Sequence, residues 1–203
     1  MNSEKEKTKS TLFEDIFIKD YTYMDMYTKK DIWQELEKIL NGKFTIIHTK
    51  SNDLNSFHLD FEYNSIKIMM VETDIKPLKF EIELNLKQPF EFNISWEDNV
   101  DKLLKFLGKN EVEIGNKEFD SKYLIKATDK TLTQNILNKA GLISQILKTN
   151  TYIINCSYNT LKESTEILTV ANRNVKSIEE LLEFVKVQFL FIESFIDNDL
   201  IKN

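Results

Sequence analysis

Three side chains that could bind a metal ion occur at alternate positions of one segment: His58, Asp60 and Glu62. If this segment is a β-strand, the three lie on one face of it and are about 6.5–7 Å apart. An imidazole and two carboxylates could hold a divalent metal ion and support a metal-dependent hydrolase. The site would need one further ligand from a neighbouring strand. The candidates for that ligand are Glu72, Glu81 and Glu83.

The same three side chains also fit the solvated face of an amphipathic strand. Phe57, Leu59 and Phe61 occupy the positions between them and account for the buried face. The spacing does not distinguish a metal site from ordinary solvation. We therefore favour the solvated face and predict no metal and no cofactor, and we keep the metal-dependent hydrolase as the alternative.

The other reactive side chains lack partners at a diagnostic spacing. No Ser, Cys or Asp is spaced from His48 as in a catalytic group. The residues around Cys156 favour a small buried side chain over a reactive thiolate. A group of acidic residues lacks the spacing of an EF-hand loop and is typical of a solvated loop. These residues are Glu111, Glu113, Glu118 and Asp120. We predict no catalytic residue.

The composition argues against several classes of function. The net charge of the 203 residues is −6, and Arg173 is the single arginine among the 27 basic residues. Duplex binding needs a basic face and commonly uses arginine forks, so we expect no nucleic-acid partner. The four glycines are too far apart for a dinucleotide-binding motif or a P-loop.

The distribution of apolar residues predicts a soluble cytoplasmic protein. Residues 1–10 are polar and charged after Met1, without the apolar core of a signal peptide, and predict a disordered tail. No apolar stretch approaches the roughly 18 residues of a spanning helix, so we expect no membrane contact. Cys156 is the only cysteine, which excludes an intrachain disulfide.

Alternating apolar residues predict a strand-rich first half. A helix over 29–41, capped by Thr28, ends at Asn41-Gly42. Four or five antiparallel strands follow, and a helix over 96–107 comes after them. The predicted strands cover residues 43–49, 56–63, 66–73, 78–86 and about 90–94.

The second half alternates helices and strands. A strand over about 120–127 precedes a helical pattern over 131–147, which Gly141 could break. Two strands, 151–158 and 164–171, follow. Ser177 and Glu180 form a capping box for a last helix that reaches about Phe195.

These elements predict an α+β fold, in which an amphipathic antiparallel sheet is packed by about four helices. We find no linker and treat residues 11–203 as one domain. The alternative is two lobes, about 29–108 and 109–203.

The last helix is apolar nearly all round, which indicates burial on more than one side. Either it is sandwiched within the fold, or it presents part of its surface to a second copy or a partner. The residues that would form that surface are Phe184, Phe191 and Phe195. On the sheet, Glu81 and Glu83 belong to a charged face that could also meet a partner.

Two segments resemble a bacterial, Bacteroidetes-type family of domains of unknown function. One is a pattern of E-F-D, a basic and aromatic pair, a strand and a helix. Its matching residues are Glu118, Phe119, Asp120, Lys122, Tyr123, Asp129, Ile136 and Leu137. The other is a W-x-x-L-x-x-x-L-N-G pattern at Trp33, Leu36, Leu40, Asn41 and Gly42. The resemblance implies a soluble bacterial protein and the order of elements over 119–147, and it carries no catalytic residue.

Three functional hypotheses follow from the sequence. The first is a non-enzymatic binding or adaptor protein, or an inhibitor of the immunity type that masks a basic site by charge complementarity. The second is the metal-dependent hydrolase, and the third is a structural homodimer formed through the last helix. We favour the first because the chain is acidic and lacks catalytic motifs.

Overall fold

Alternating apolar and polar residues form strands that pair into one antiparallel sheet. The computed structural model describes residues 25–49, 54–73, 75–96, 112–172 and 175–202. The strands in these residues are β1 (Lys43–Thr49), β2 (Leu54–Tyr63), β3 (Ile66–Thr73), β4 (Lys79–Leu84), β5 (Phe92–Trp96), β6 (Tyr123–Ala127), β7 (Ile153–Asn159) and β8 (Ser164–Val170). Their order across the sheet is β1-β2-β3-β4-β8-β7-β5-β6.

Helices in the same part of the chain accompany the sheet. They are α1 (Met26–Leu40), α2 (Lys117–Lys122), α3 (Lys130–Leu137), α4 (Leu142–Thr149) and α5 (Ile178–Asp197). An antiparallel sheet combined with separate helices confirms the predicted α+β class. Among the described residues, no helix is both long and apolar enough to cross a membrane.

The two faces of the sheet differ in chemistry. On β2, Phe57, Leu59 and Phe61 are buried, whereas Asp60 and Glu62 between them are exposed. The buried side chains of the strands join those of the helices in one hydrophobic core. We call the face that meets this core the inner face, and the opposite face the outer face.

Helix α5 lies in the core, against the inner face. Phe184, Phe191 and Phe195 are 2%, 0% and 0% exposed. The Phe191 ring stacks on the ring of Phe92 on β5, with 6.1 Å between their centroids. The structure therefore corrects the expectation that these three rings present a surface to a partner or a second copy. The aromatic side chains fill the space between sheet and helices, as the sandwiched alternative requires.

Side-chain caps set two of the boundaries that differ from the sequence prediction. Helix α1 begins at Met26, since the Asp25 carboxylate accepts hydrogen bonds from the N–H groups of Tyr27 and Thr28 (3.1 and 3.0 Å). The segment predicted as a strand from 120 begins instead with helix α2. There the Asn116 side chain accepts the N–H of Phe119 at 3.1 Å.

The helical pattern over 131–147 forms two helices, α3 and α4. Gly141 lies between them with a φ of 86°, a conformation that glycine adopts without steric cost. The predicted tail at 1–10 and the predicted helix at 96–107 lie outside the described residues, except that Trp96 ends β5.

Both halves of the chain contribute to the sheet in an interleaved order. Strand β8 pairs with β4, so that Glu83 lies directly opposite Glu166. Strand β5 from the first half lies between β7 and β6 from the second half. This order brings residues that are distant in sequence onto the same part of the outer face.

Candidate binding groove on the outer face of the sheet

A groove of about 1100 Å³ crosses the outer face from β1 to β8. We call it the outer groove. Its lining includes five carboxylates, three ammonium groups and two apolar side chains of the outer face, together with the turn between α1 and β1. These side chains are Asp60, Glu62, Glu81, Glu83, Glu166, Lys43, Lys67, Lys162, Met69 and Leu168.

Strand register arranges part of this lining as a straight row. Lys43, Asp60, Met69, Glu81 and Leu168 lie directly opposite one another on the successive strands β1, β2, β3, β4 and β8. Neighbouring strands are about 4.8 Å apart, so the row extends over about 19 Å. From Asp60 onward, acidic and apolar side chains alternate along it.

The turn between α1 and β1 forms one end of the groove through close backbone packing. Asn41 adopts the left-handed conformation that ends α1, with a φ of 50°. A Cβ atom at Gly42 would lie 2.8 Å from the backbone oxygen of Asp60 and 2.9 Å from Leu59 Cδ1. Only glycine allows this turn to approach β2 so closely, which brings Lys43 beside Asp60.

The β8 end of the groove contains two carboxylates that share one cation. Glu83 and Glu166 lie directly opposite each other, an arrangement that is unfavourable for like charges. Lys162 Nζ lies 2.7 Å from Glu166 Oε1 and 3.6 Å from Glu83 Oε2. Ser164 donates a hydrogen bond to Glu83 at 2.7 Å, and Asn159 donates one to Glu166 at 3.1 Å.

These contacts stabilise the charged forms of Glu166 and Lys162. The Lys162 ammonium, followed by the Asn159 amide, lowers the pKa of the Glu166 carboxyl below its ordinary value of 4.5. Hydrogen bonding and attraction to Glu166, and attraction to Glu83, raise the pKa of Lys162. Glu166 is therefore ionised at neutral pH and suits ionic contacts better than proton donation.

The β2 end of the groove is more open to new partners. Asp60 and Glu62 are both exposed, and within the described ranges no side chain forms a hydrogen bond or ion pair with either. Asp60 faces Lys43 on one side and Met69 on the other, and Glu62 lies opposite Lys67. Glu81 differs from them because it forms an ion pair with Lys79.

The metal hypothesis receives no geometric support. His58 shares the outer face with Asp60 and Glu62, as the alternation predicts, but it does not line the outer groove. Its Nε2 atom lies 2.7 Å from Ser56 Oγ. In the part of the chain that is described, no three His, Cys, Asp or Glu side chains converge as metal ligands would.

The single thiol is inert for a clear physical reason. Cys156 is 1% exposed on the inner face. Burial, and secondarily the charge of Glu91, raise the pKa of Cys156 to about 12. The side chain therefore stays protonated at neutral pH and packs as a small apolar group.

Asp60 and Glu62 on β2 line the same groove as Glu81 and Glu83 on β4. The sequence alone did not show that these two acidic pairs lie together. The structure also adds six residues that sequence reasoning missed: Lys43, Lys67, Met69, Lys162, Glu166 and Leu168. Glu166 and Leu168 belong to the strand predicted over 164–171, but no signal in the sequence indicated that this strand would lie beside β4.

No family model and no curated protein matches the sequence. The fold is similar to that of the crystal structure of the mycobacterial trehalose monomycolate transport factor A, TtfA. The TM-score is 0.53, and the likeness covers 84% of this chain and 96% of that chain. The sequences are 5% identical, so the likeness shows a shared fold alone.

Proposed function

We propose that the protein is a non-enzymatic binding protein, an adaptor or an inhibitor of the immunity type, which docks a partner protein in the outer groove. The observation that carries this proposal is the composition of the groove. Five carboxylates face three ammonium groups, and the apolar side chains of Met69 and Leu168 lie between them. Such a surface orients a partner of opposite charge and buries apolar contacts beside the charges.

Two further observations support binding over catalysis. The chain has a net charge of −6, which attracts a basic partner over a distance that salt shortens. The mycobacterial protein of similar fold is described as a transport factor, a description compatible with a binding role. We further propose a cytoplasmic location, because the sequence contains a single cysteine and therefore no intrachain disulfide, which is typical of a reducing compartment.

Site-specific cross-linking in the native host tests this function. A photoreactive benzoyl-phenylalanine replaces Lys67, which is exposed and lines the outer groove. The control carries the same group in place of Lys130, which is exposed on α3 and does not line the groove. We expect a protein adduct at position 67 that is missing at position 130. Equal adducts at both positions, or no protein adduct at position 67, would contradict the proposal.

A matched pair of variants then tests whether the purified adduct protein binds through the groove charges. The groove variant combines Asp60→Asn, Glu62→Gln and Glu81→Gln. The control combines Asp31→Asn, Glu35→Gln and Glu113→Gln, which removes the same charge from exposed positions elsewhere. Loss of three ionic contacts predicts a Kd about tenfold higher for the groove variant. Equal Kd values for the two variants would mean that net charge alone attracts the partner.

A further inference from the structure

We infer that the occupant of the outer groove is a cationic amphipathic helix of the partner, lying across the strands with basic and aliphatic residues alternating along its contact face. This inference rests on the proposed function and specifies the partner. Its basis is the spacing of the row formed by Asp60, Met69, Glu81 and Leu168.

The spacing of the row distinguishes a helical occupant from an extended one. Three steps between strands separate Asp60 from Leu168, a distance of about 14 Å. On one face of an α-helix, residues i, i+3, i+7 and i+10 span about 15 Å along the axis. Three steps of two residues in an extended chain span about 20 Å. The helix therefore keeps one residue over each side chain of the row, and the extended chain does not.

The chemistry of the row specifies the residues of that helix. Lys or Arg at positions i and i+7 of the helix would form ion pairs with the carboxylates of Asp60 and Glu81. Met69 and Leu168 are half-buried and call for aliphatic residues at i+3 and i+10. Because the whole row extends over about 19 Å, the helix needs about 13 residues to cover it.

The two ends of the groove suit this occupant differently. At the β8 end, Lys162 already forms ion pairs with both Glu83 and Glu166. Asp60 forms no side-chain hydrogen bond or ion pair within the described part of the molecule, and it lies in the row itself. The first basic residue of the helix therefore contacts Asp60, where it displaces no existing ion pair.

Synthetic peptides test the inference on the 203-residue protein. The probe is a stapled, alanine-based helix of about 14 residues with Lys at i and i+7 and Leu at i+3 and i+10. One comparison peptide carries Glu in place of both Lys residues. Another has the composition of the probe, but its Lys and Leu residues alternate at every second position of an unstapled chain.

Fluorescence anisotropy at low salt gives the Kd of each peptide. We expect the helical Lys peptide to bind at least about tenfold more tightly than both comparison peptides. With the charge-reversal variant Asp60→Lys, Glu81→Lys, we expect the preference to invert, so that the Glu helix binds more tightly. Circular dichroism verifies that the variant is folded.

The outcomes separate this inference from the proposed function. Equal binding of the helical and alternating Lys peptides would overturn the helix, and so would a charge-reversal variant that still prefers the Lys helix. If position 67 cross-links to a protein while the helical peptide does not bind, the partner is real and the inference about its helix is wrong. If the peptide binds as expected but no protein cross-links at position 67, the groove accepts a cationic helix, but the proposed function fails and so does the assignment of that helix to a partner protein.

Discussion

The two faces of the sheet each contain lysine–glutamate contacts, but in opposite environments. On the inner side, Lys29 Nζ lies 3.1 Å from Glu72 Oε2, and the two side chains are 11% and 2% exposed. On the outer face, Lys162 bridges Glu83 and Glu166, with all three side chains at least 40% exposed. The inner pair is buried, and the Lys29 ammonium also lies 4.8 Å from the centre of the Phe57 ring.

The difference shows that the contribution of a lysine–glutamate pair to stability depends on its burial. Removal of one member of a buried pair is costly, because the remaining charge has little access to solvent. An exposed pair contributes little to stability, because water screens it, and its members remain open to new contacts. The inner pair therefore joins α1 to β3, whereas the outer charges remain in contact with solvent.

The largest expected effect is on the inner pair. Lys29→Met removes the cation beside a carboxylate that is 2% exposed. We expect the free energy of unfolding to fall by about 3–5 kcal/mol, as measured by urea denaturation. Lys67→Met, at an exposed position of the outer groove, is the control and should change stability by less than about 1 kcal/mol. Equal losses in the two variants would remove the contrast between the faces.

A smaller loss is expected from a substitution that pushes the α1–β1 turn away from the sheet. Gly42→Ala introduces a methyl group 2.8 Å from the Asp60 backbone oxygen, which cannot move without disturbing β2. We expect a destabilisation of about 1–3 kcal/mol by thermal or urea unfolding. Gln34→Ala on the exposed side of α1 is the control. A fully stable Gly42→Ala protein would show that the turn can shift and that the groove end is not fixed by this contact.

The third prediction concerns acid stability at the border of the inner face. The hydroxyl group of Tyr63, followed by Lys139, lowers the pKa of Glu193 below its ordinary value of 4.5. A lowered folded-state pKa gives stability that is present above the ordinary value and is lost as the pH falls through the lowered one. Glu193→Gln should therefore lose less stability than the wild type between about pH 5 and pH 3.

Urea denaturation across that pH range checks this prediction, and Glu62→Gln in the outer groove is the comparison. Glu62 suits this comparison because it is exposed and forms no hydrogen bond or ion pair with a described side chain. If both variants reduce the pH dependence of the free energy of unfolding equally, the contacts of Glu193 are not the cause of that dependence.

The smallest expected effect on stability is at the β8 end of the groove. Lys162→Met leaves Glu83 and Glu166 opposite each other in solvent, and should cost no more than about 1 kcal/mol. Because the Lys162 ammonium is the main cause of the lowered pKa of Glu166, that pKa should rise toward 4.5 in the variant. An NMR titration of the Glu166 side chain measures the shift. An unchanged pKa would mean that the Asn159 amide alone holds the carboxylate.

Alternation along single strands was sufficient to predict which side chains lie on each face. It placed His58, Asp60 and Glu62 on the solvated side of β2, and Glu81 and Glu83 on that of β4, as observed. The nearly all-round apolar pattern of α5 likewise predicted burial on more than one side. Both patterns are formed by residues close together in the sequence, so the sequence alone is enough to recognise them.

Local periodicity does not predict the order of the strands in the sheet or the side chains that cap the helices. The pairing of β8 with β4 depends on contacts across more than 80 residues, and periodicity does not specify a pairing partner. The segment around Phe119 contains residues compatible with a strand, but the Asn116 cap selects a helix. Resemblance to the bacterial domain family stays a prediction, since it rests on sequence patterns alone.

The insertion of β8 beside β4 has a consequence for the order of folding. Ser164 and Glu83, which touch at 2.7 Å in the groove, are 81 residues apart along the chain. Closure of so long a loop is entropically costly and slows the formation of non-local strand pairs. During synthesis, the strands β1 to β4 emerge well before β8 can join them. The groove is therefore completed late, only after distant segments of the chain have come together.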